Sequence, residues 1–234
     1  MVRSKKNNIA ALILAAGNSQ RIGMKFKQFV NVNGKPLLFY SLEKLLKNPG
    51  ICRVVITVPK SKLKYASRII AANFSDTRIR LIPGGATRKD SSFLALKYLK
   101  QEKQKYDYII FHDASRPLIT NEMIRLVTKE AMACGAAVVG KSAIDLIFHV
   151  KNGYIKKAFR KETIHYGYTP QCFKFSRILE AHEIFQNDSR MKTADNAELL
   201  LAYDKKSKIK MIDNFYPNLK LTFKEDLKMI EPFL

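Results

Sequence analysis

A chain of 234 residues with 47% hydrophobic, 26% charged and 10% aromatic side chains can bury one substantial core, and that balance argues against a disordered, collagen-like or repeat protein. Its 42 Lys and Arg against 20 Asp and Glu leave a formal charge of +22, which favours anionic partners such as nucleotides, phosphates, nucleic acid or anionic lipid without choosing among them. Cys52, Cys134 and Cys172 lie far apart with no paired spacing, so neither a disulfide framework nor a zinc site is suggested, and a reducing cytoplasm is expected.

The first apolar run, Ile9–Leu14, follows Arg3, Lys5 and Lys6 and superficially resembles a signal peptide. It is short for that role, and a strand entering a glycine turn explains the same residues. No segment approaches the ~18 apolar residues needed to span a bilayer. Helix periodicity then predicts a helix over 36–47, followed by a strand over 52–58 and a helix over 60–72. The alternation continues with a strand over 78–82, a helix over 88–101, a strand over 106–112, a helix over 121–133 and a strand over 136–139. Continuous apolar strands separated by helices mean βαβ units, hence an α/β, doubly wound, mostly parallel Rossmann-like sheet covered on both faces.

The regularity breaks over 140–165. Alternating runs over 144–150 and 154–159 flank Lys151-Asn152-Gly153, and Asn-Gly between two such runs is a hairpin signal, so a β-hairpin arm projects here. Helices over 174–185 and 194–203, a strand over 209–212 and a last helix from 224 complete the chain. One catalytic domain over 1–234 is expected. A lone histidine on a helix, such as His182, is more often structural than a ligand.

Three groups of residues carry possible chemistry. The first strand empties into Ala15-Ala16-Gly17-Asn18-Ser19-Gln20-Arg21, where a glycine lets backbone N–H groups approach a phosphate and Arg21 and Lys27 balance charge. It is neither a P-loop nor a dinucleotide fingerprint, and a glycine after a strand is also an ordinary turn. The second group, Gly84-Gly85-Ala86-Thr87-Arg88-Lys89-Asp90-Ser91-Ser92, opens a helix whose free N–H donors can grip a ligand, or is simply a capped turn. The third, Phe111-His112-Asp113-Ala114-Ser115-Arg116-Pro117, ends the fourth strand. Asp113 there can hold a metal ion or hydroxyl and Arg116 a phosphate, or the two form a local ion pair. All three lie beyond the carboxyl ends of parallel strands, where open α/β sheets bind ligands.

With these residues in view the chain resembles the cytidylyltransferases of the isoprenoid pathway, which act on CTP and 2-C-methyl-D-erythritol 4-phosphate, and is similar to their relatives acting on ribitol 5-phosphate. The matching segments run nearly end to end: residues 14–29, Gly84 to Ser92, His112 to Pro117, Thr169-Pro-Gln-Cys-Phe173, Ala194-Asp-Asn-Ala-Glu198, and residues 218–227. The resemblance implies that Ala15, Ala16, Gly17, Asn18 and Ser19 wrap CTP, with Arg88 beside it, while Gly85, Ala86 and Ser91 read the cytosine edge. It implies Arg21, Lys27 and Lys220 around the triphosphate. Asp113 and Arg116, with Asp145 and Arg160 or Lys161 from the arm, would face the acceptor. Mg²⁺ would be held mainly by the CTP phosphates, with no protein metal ligand assigned. The arm would swap across a homodimer.

The pattern departs from the family at four points. The loop between Arg21 and Lys27 is one residue shorter, Phe26 stands for a proline, Leu146 after Asp145 stands for a threonine, and Lys161 rather than Arg160 holds the place of an arginine. These departures all concern the acceptor side, so ribitol 5-phosphate or another polyol phosphate is the alternative. A basic nucleic-acid-binding protein is the reading from another class, but the lysine clusters near 60–64, 100–105 and 205–210 lack interleaved aromatics. No nucleic acid or membrane partner is expected.

Overall fold

The computed structural model describes residues 7–17, 26–192, 194–213 and 216–234. In chain order the elements are β1 (Ile9–Leu14), β2 (Asn31–Val32), β3 (Lys35–Pro36), α1 (Leu37–Leu46), β4 (Ile51–Val58), α2 (Leu63–Asn73), β5 (Ile79–Pro83) and α3 (Arg88–Gln101). There follow β6 (Tyr108–Asp113), α4 (Asn121–Cys134), β7 (Ala136–Ser142), β8 (Ile147–Lys151), β9 (Tyr154–Phe159) and β10 (His165–Lys174). The chain finishes with α5 (Phe175–Ile184), α6 (Asn196–Tyr203), β11 (Ile209–Asp213) and α7 (Asp226–Ile230).

Seven strands form one sheet in the order β11-β7-β10-β6-β1-β4-β5, with β10 antiparallel to both neighbours and every other pairing parallel. The sheet is therefore the expected mostly parallel one, with one strand reversed. β1 shows why it is buried on both faces. Side chains alternate along a strand, so Ile9, Ala11 and Ile13 pack with Leu38, Leu42, Ala66, Ile70 and Val127 of α1, α2 and α4. Ala10 and Leu12 pack with Phe93, Leu96, Ile178 and Leu200 of α3, α5 and α6 on the other side.

Helix ends follow local chemistry. Thr87 and Asp90 make a reciprocal capping box at the start of α3, as Asp195 and Glu198 do at α6. Gly135, at φ +99°, ends α4 in the left-handed conformation that glycine adopts without a Cβ clash.

The strand β10 fills a stretch that the sequence left between a hairpin and a helix, while β7 extends to Ser142 and His165 opens β10. Among the described residues the hairpin strands β8 and β9 pair only with each other, and Ile144, Leu146, Phe148, Val150, Tyr154 and Ile155 on and beside them are exposed. Among the described residues no helix is long and apolar enough to cross a membrane.

Candidate active site

Successive strands run outward from β1 on either side, to β4 and β5 one way and to β6 the other. Their carboxyl ends frame a cleft of about 870 Å³. Residues 14–17 at the end of β1, 59–61 after β4, 84–88 with Ser91 after β5, and 113–115 at the end of β6 line it, together with Lys27, Gln28, Lys220 and Thr222.

The first wall is pinned at its start. Ala15 N–H donates to Thr57 O at 2.9 Å, and Ala15 O accepts from the buried amide of Gln28 at 2.6 Å. Asn18, Ser19 and Arg21, expected to continue this wall, lie outside the described residues. Phe26 sits at φ +61° and ψ +51°, a left-handed backbone that proline's ring cannot adopt, so the substitution noted in the sequence accompanies a different chain path into Lys27. Lys62 Nζ stands 4.7 Å over the Phe26 ring. Lys27 Nζ donates to Leu221 O at 2.5 Å, which ties this wall to the segment bearing Lys220.

In the second wall Gly84 N–H donates to Val58 O at 2.8 Å, so the loop leaves the sheet pressed against β4. Gly85 N–H donates to Ser91 Oγ at 3.1 Å and the Ser91 hydroxyl donates to Thr87 O at 2.9 Å. Ser91 thus keeps one lone pair free of the loop.

The third wall holds the charges. Asp113 is buried, with Oδ1 accepting from Arg88 Nε at 3.2 Å and Oδ2 from Lys220 Nζ at 2.8 Å. Burial pushes its carboxyl up, but Arg88, Lys220 and Arg116 together outweigh that and hold it well below the usual carboxylate range. The local Asp113–Arg116 pair considered from the sequence is not formed. Arg116 instead donates to Asn218 O at 2.6 Å, lies 4.6 Å over the Tyr168 ring, and does not line the cleft. Asp145, Arg160 and Lys161 are exposed on the arm and do not line it either.

Among the described residues the lining therefore carries Lys27, Lys60, Arg88 and Lys220 against one carboxylate, Asp113. Such an imbalance in a concave site favours a polyanion. Among the described residues no group of three or more His, Cys, Asp and Glu could hold a metal ion, and Asp113 has both oxygens engaged. Lys60 and Ser61 line the cleft too, although they follow a proline with no glycine signature to mark them as a site, and Gln28 stands inside the matching segment 14–29 with no chemistry of its own to single it out.

Two buried histidines flank the site. His112 Nε2 lies 2.9 Å from Arg116 O and 3.1 Å from Ser41 Oγ, while His182 Nε2 lies 3.0 Å from Asn196 Oδ1. Burial pulls both rings down to about 4, so both are neutral at pH 7. The unfolded chain takes up protons near pH 6.5 and the native chain only near 4, so stability is full above 6.5 and falls between those values. Each ring is expected to cost about 3 kcal/mol across that window. Urea unfolding at pH 7.5 and pH 4.5 measures the loss; His182→Gln is expected to show a distinctly smaller one, and a flat profile in the wild type contradicts the assignment.

The chain is similar to known proteins along almost its whole length. Residues 9–234 match the family model described as 2-C-methyl-D-erythritol 4-phosphate cytidylyltransferase. Curated proteins of that same description from Clostridium perfringens and Clostridium botulinum are each 31% identical, over 97% and 98% of this chain and 98% and 97% of theirs. Among solved structures, 4-diphosphocytidyl-2C-methyl-D-erythritol synthase from Anaerococcus prevotii superposes with a TM-score of 0.84 at 22% identity, covering 98% of this chain and 99% of its own. The Francisella tularensis 2-C-methyl-D-erythritol 4-phosphate cytidylyltransferase gives 0.79 at 23%, covering 97% and 100%. At those identities the superpositions establish the fold.

Proposed function

We propose, from the premise that this chain belongs to the 2-C-methyl-D-erythritol 4-phosphate cytidylyltransferase family, a division of labour for the residues that line its cleft. The chain transfers the cytidylyl group of CTP to 2-C-methyl-D-erythritol 4-phosphate and releases pyrophosphate. An oxygen of the acceptor's phosphate bonds to the α-phosphorus of CTP, and the bond from that phosphorus to the β-phosphate bridging oxygen breaks. No protein nucleophile or general base is needed.

What the reaction needs is relief of repulsion between two polyanions, and fixed cations supply it. Among the described residues, four cations and one carboxylate line the cleft at the carboxyl ends of β1, β4, β5 and β6, and this is the observation that carries the reading. Lys27 and Lys220, with Arg21, are assigned to the triphosphate. Ala15, Ala16 and Gly17, with Asn18 and Ser19, are assigned to the nucleotide backbone, with Gly85, Ala86 and Ser91 at the cytosine and Arg88 beside it. Asp113, kept ionised by its cations, faces the acceptor's hydroxyls.

Mg²⁺ suits this site as an ion carried on phosphate oxygens, because it retains waters and needs few protein ligands. When bound it neutralises the phosphate charge. Arg116 has its guanidinium turned to Asn218 O, so the acceptor phosphate is assigned to Arg160 or Lys161 from the arm of a second copy. The exposed apolar residues of that arm support a homodimer, and three free thiols suit the cytoplasm.

Incubation with CTP, Mg²⁺ and each candidate acceptor tests the reading by pyrophosphate release. Turnover with 2-C-methyl-D-erythritol 4-phosphate is expected. Silence with that acceptor alongside turnover with ribitol 5-phosphate would change the acceptor, and silence with all would remove the function.

A further inference from the structure

Two segments singled out in the sequence, Thr169 to Phe173 and Ala194 to Glu198, have no part in the division of labour above. The structure brings them together. Gln171 on β10 donates through Nε2 to both carboxylate oxygens of Asp195, at 3.2 and 3.1 Å. Asn196 Nδ2 donates to Gln171 Oε1 at 3.3 Å, and His182 Nε2 lies 3.0 Å from Asn196 Oδ1. With the ring neutral and its proton on Nε2, every donor in this row is aimed toward Asp195. Gln171, Asn196 and His182 are each no more than 3% exposed, so the row is walled off from water.

On its other side Asp195 meets the cleft. Arg88 Nη1 lies 3.3 Å from Asp195 Oδ2 as an ion pair outside hydrogen-bond geometry, and Nε of the same guanidinium donates to Asp113 Oδ1 at 3.2 Å. Asp195 also caps α6 by accepting from Ala197 N–H at 2.9 Å. A cap alone needs only a short polar side chain and no buried glutamine behind it. A planar guanidinium hydrogen-bonded to one carboxylate can still roll about that contact, whereas a second carboxylate charge beside another of its nitrogens restrains the roll.

We propose that Asp195, braced by Gln171, is a positioning residue for Arg88, setting the plane of its guanidinium and thereby the carboxylate of Asp113 against which Lys220 is aligned. Neither Asp195 nor Gln171 lines the cleft, so both act through Arg88. The proposal rests on the cytidylyltransferase reading of the cleft.

Asp195→Asn tests it, because asparagine preserves the helix cap and removes the charge facing Arg88. The thermal midpoint is expected to stay within a few degrees of wild type, while kcat/KM for CTP and acceptor falls about 10- to 100-fold, as small misplacements of reacting groups do. Gln171→Met is expected to act in the same direction with a smaller loss. In an Arg88→Met background Asp195→Asn is expected to cost less than about threefold, because no guanidinium remains to be held. Wild-type kinetics in the single variant, or losses that simply multiply in the double one, overturn the proposal. A second readout does not depend on turnover. The Arg88 Nε–H resonance is expected to be sharp and slowly exchanging in the wild type and to broaden in Asp195→Asn. If it does so in a protein that turns over no acceptor, the positioning stands and the reaction assignment fails; if it is unchanged, the positioning fails whatever the activity.

Discussion

Lys220→Met is expected to lower kcat by about 10²–10³-fold, the usual cost of removing one preorganised charge from a site where charge develops. Methionine keeps the length and the apolar stem of lysine, so the change isolates the ammonium. That ammonium is held in place from two directions. Its Nζ is 2.8 Å from Asp113 Oδ2, and the next residue, Leu221, is fully buried and donates its N–H to Ser115 O at 2.8 Å. A cation fixed this way needs little reorganisation when a phosphate arrives. Steady-state rates at saturating CTP measure the effect, and Lys220→Arg is expected to recover part of the activity because it restores charge on a different geometry. A Lys220→Met enzyme within threefold of wild type would show that the triphosphate is neutralised elsewhere.

Gly84→Ala is expected to raise the CTP concentration needed for half-saturation by about 10²-fold and to cost about 1–3 kcal/mol of stability. The backbone at Gly84 has no unusual torsion; the constraint is proximity. A Cβ there would stand 2.2 Å from Ala16 Cβ and 2.9 Å from Ser91 Oγ, so the first and second walls of the cleft meet across this glycine. The loop cannot retreat freely, because Gly84 N–H is bonded to Val58 O at 2.8 Å. The walls must part by about an ångström or more, moving the residues assigned to the nucleotide away from one another. Gly17 is the control: among the described residues a Cβ built there meets no atom within 4 Å, so Gly17→Ala is expected to leave stability unchanged. Titration calorimetry with CTP and urea melts of both variants distinguish the cases, and an unaltered CTP affinity in Gly84→Ala refutes the packing argument.

Most of the sheet was legible because its parallel strands are short continuous apolar runs and α1, α2, α4 and α5 are clearly amphipathic, while α3 and α6 announce themselves by their caps instead. The strand β10 was not. His165–Lys174 contains Gly167 and Pro170, which demote a run as a strand, and its buried Thr169 and Gln171 look like loop residues until their partners are known. Those partners are Asp113 N–H for Thr169 Oγ1 and Asp195 for Gln171, 56 and 24 residues away. The site was legible where residues stand together in a motif. Asp113 was placed correctly at the end of its strand, but its counter-ions could not be read from neighbours: Arg116 is three residues on and turns away, while Arg88 and Lys220 arrive from α3 and from beyond β11.

The reversed strand has a consequence for the order in which the molecule can be completed. β6 and β7 follow each other through α4, yet they do not touch, and β10 occupies the slot between them. As the chain leaves the ribosome, β5, β4, β1 and β6 can zip together, while β7 waits with no neighbour until β10 has been made. Chains halted within the hairpin present a bare β6 margin and an orphan β7, two raw ladders open to another polypeptide. Insertion of one late segment seals both at once.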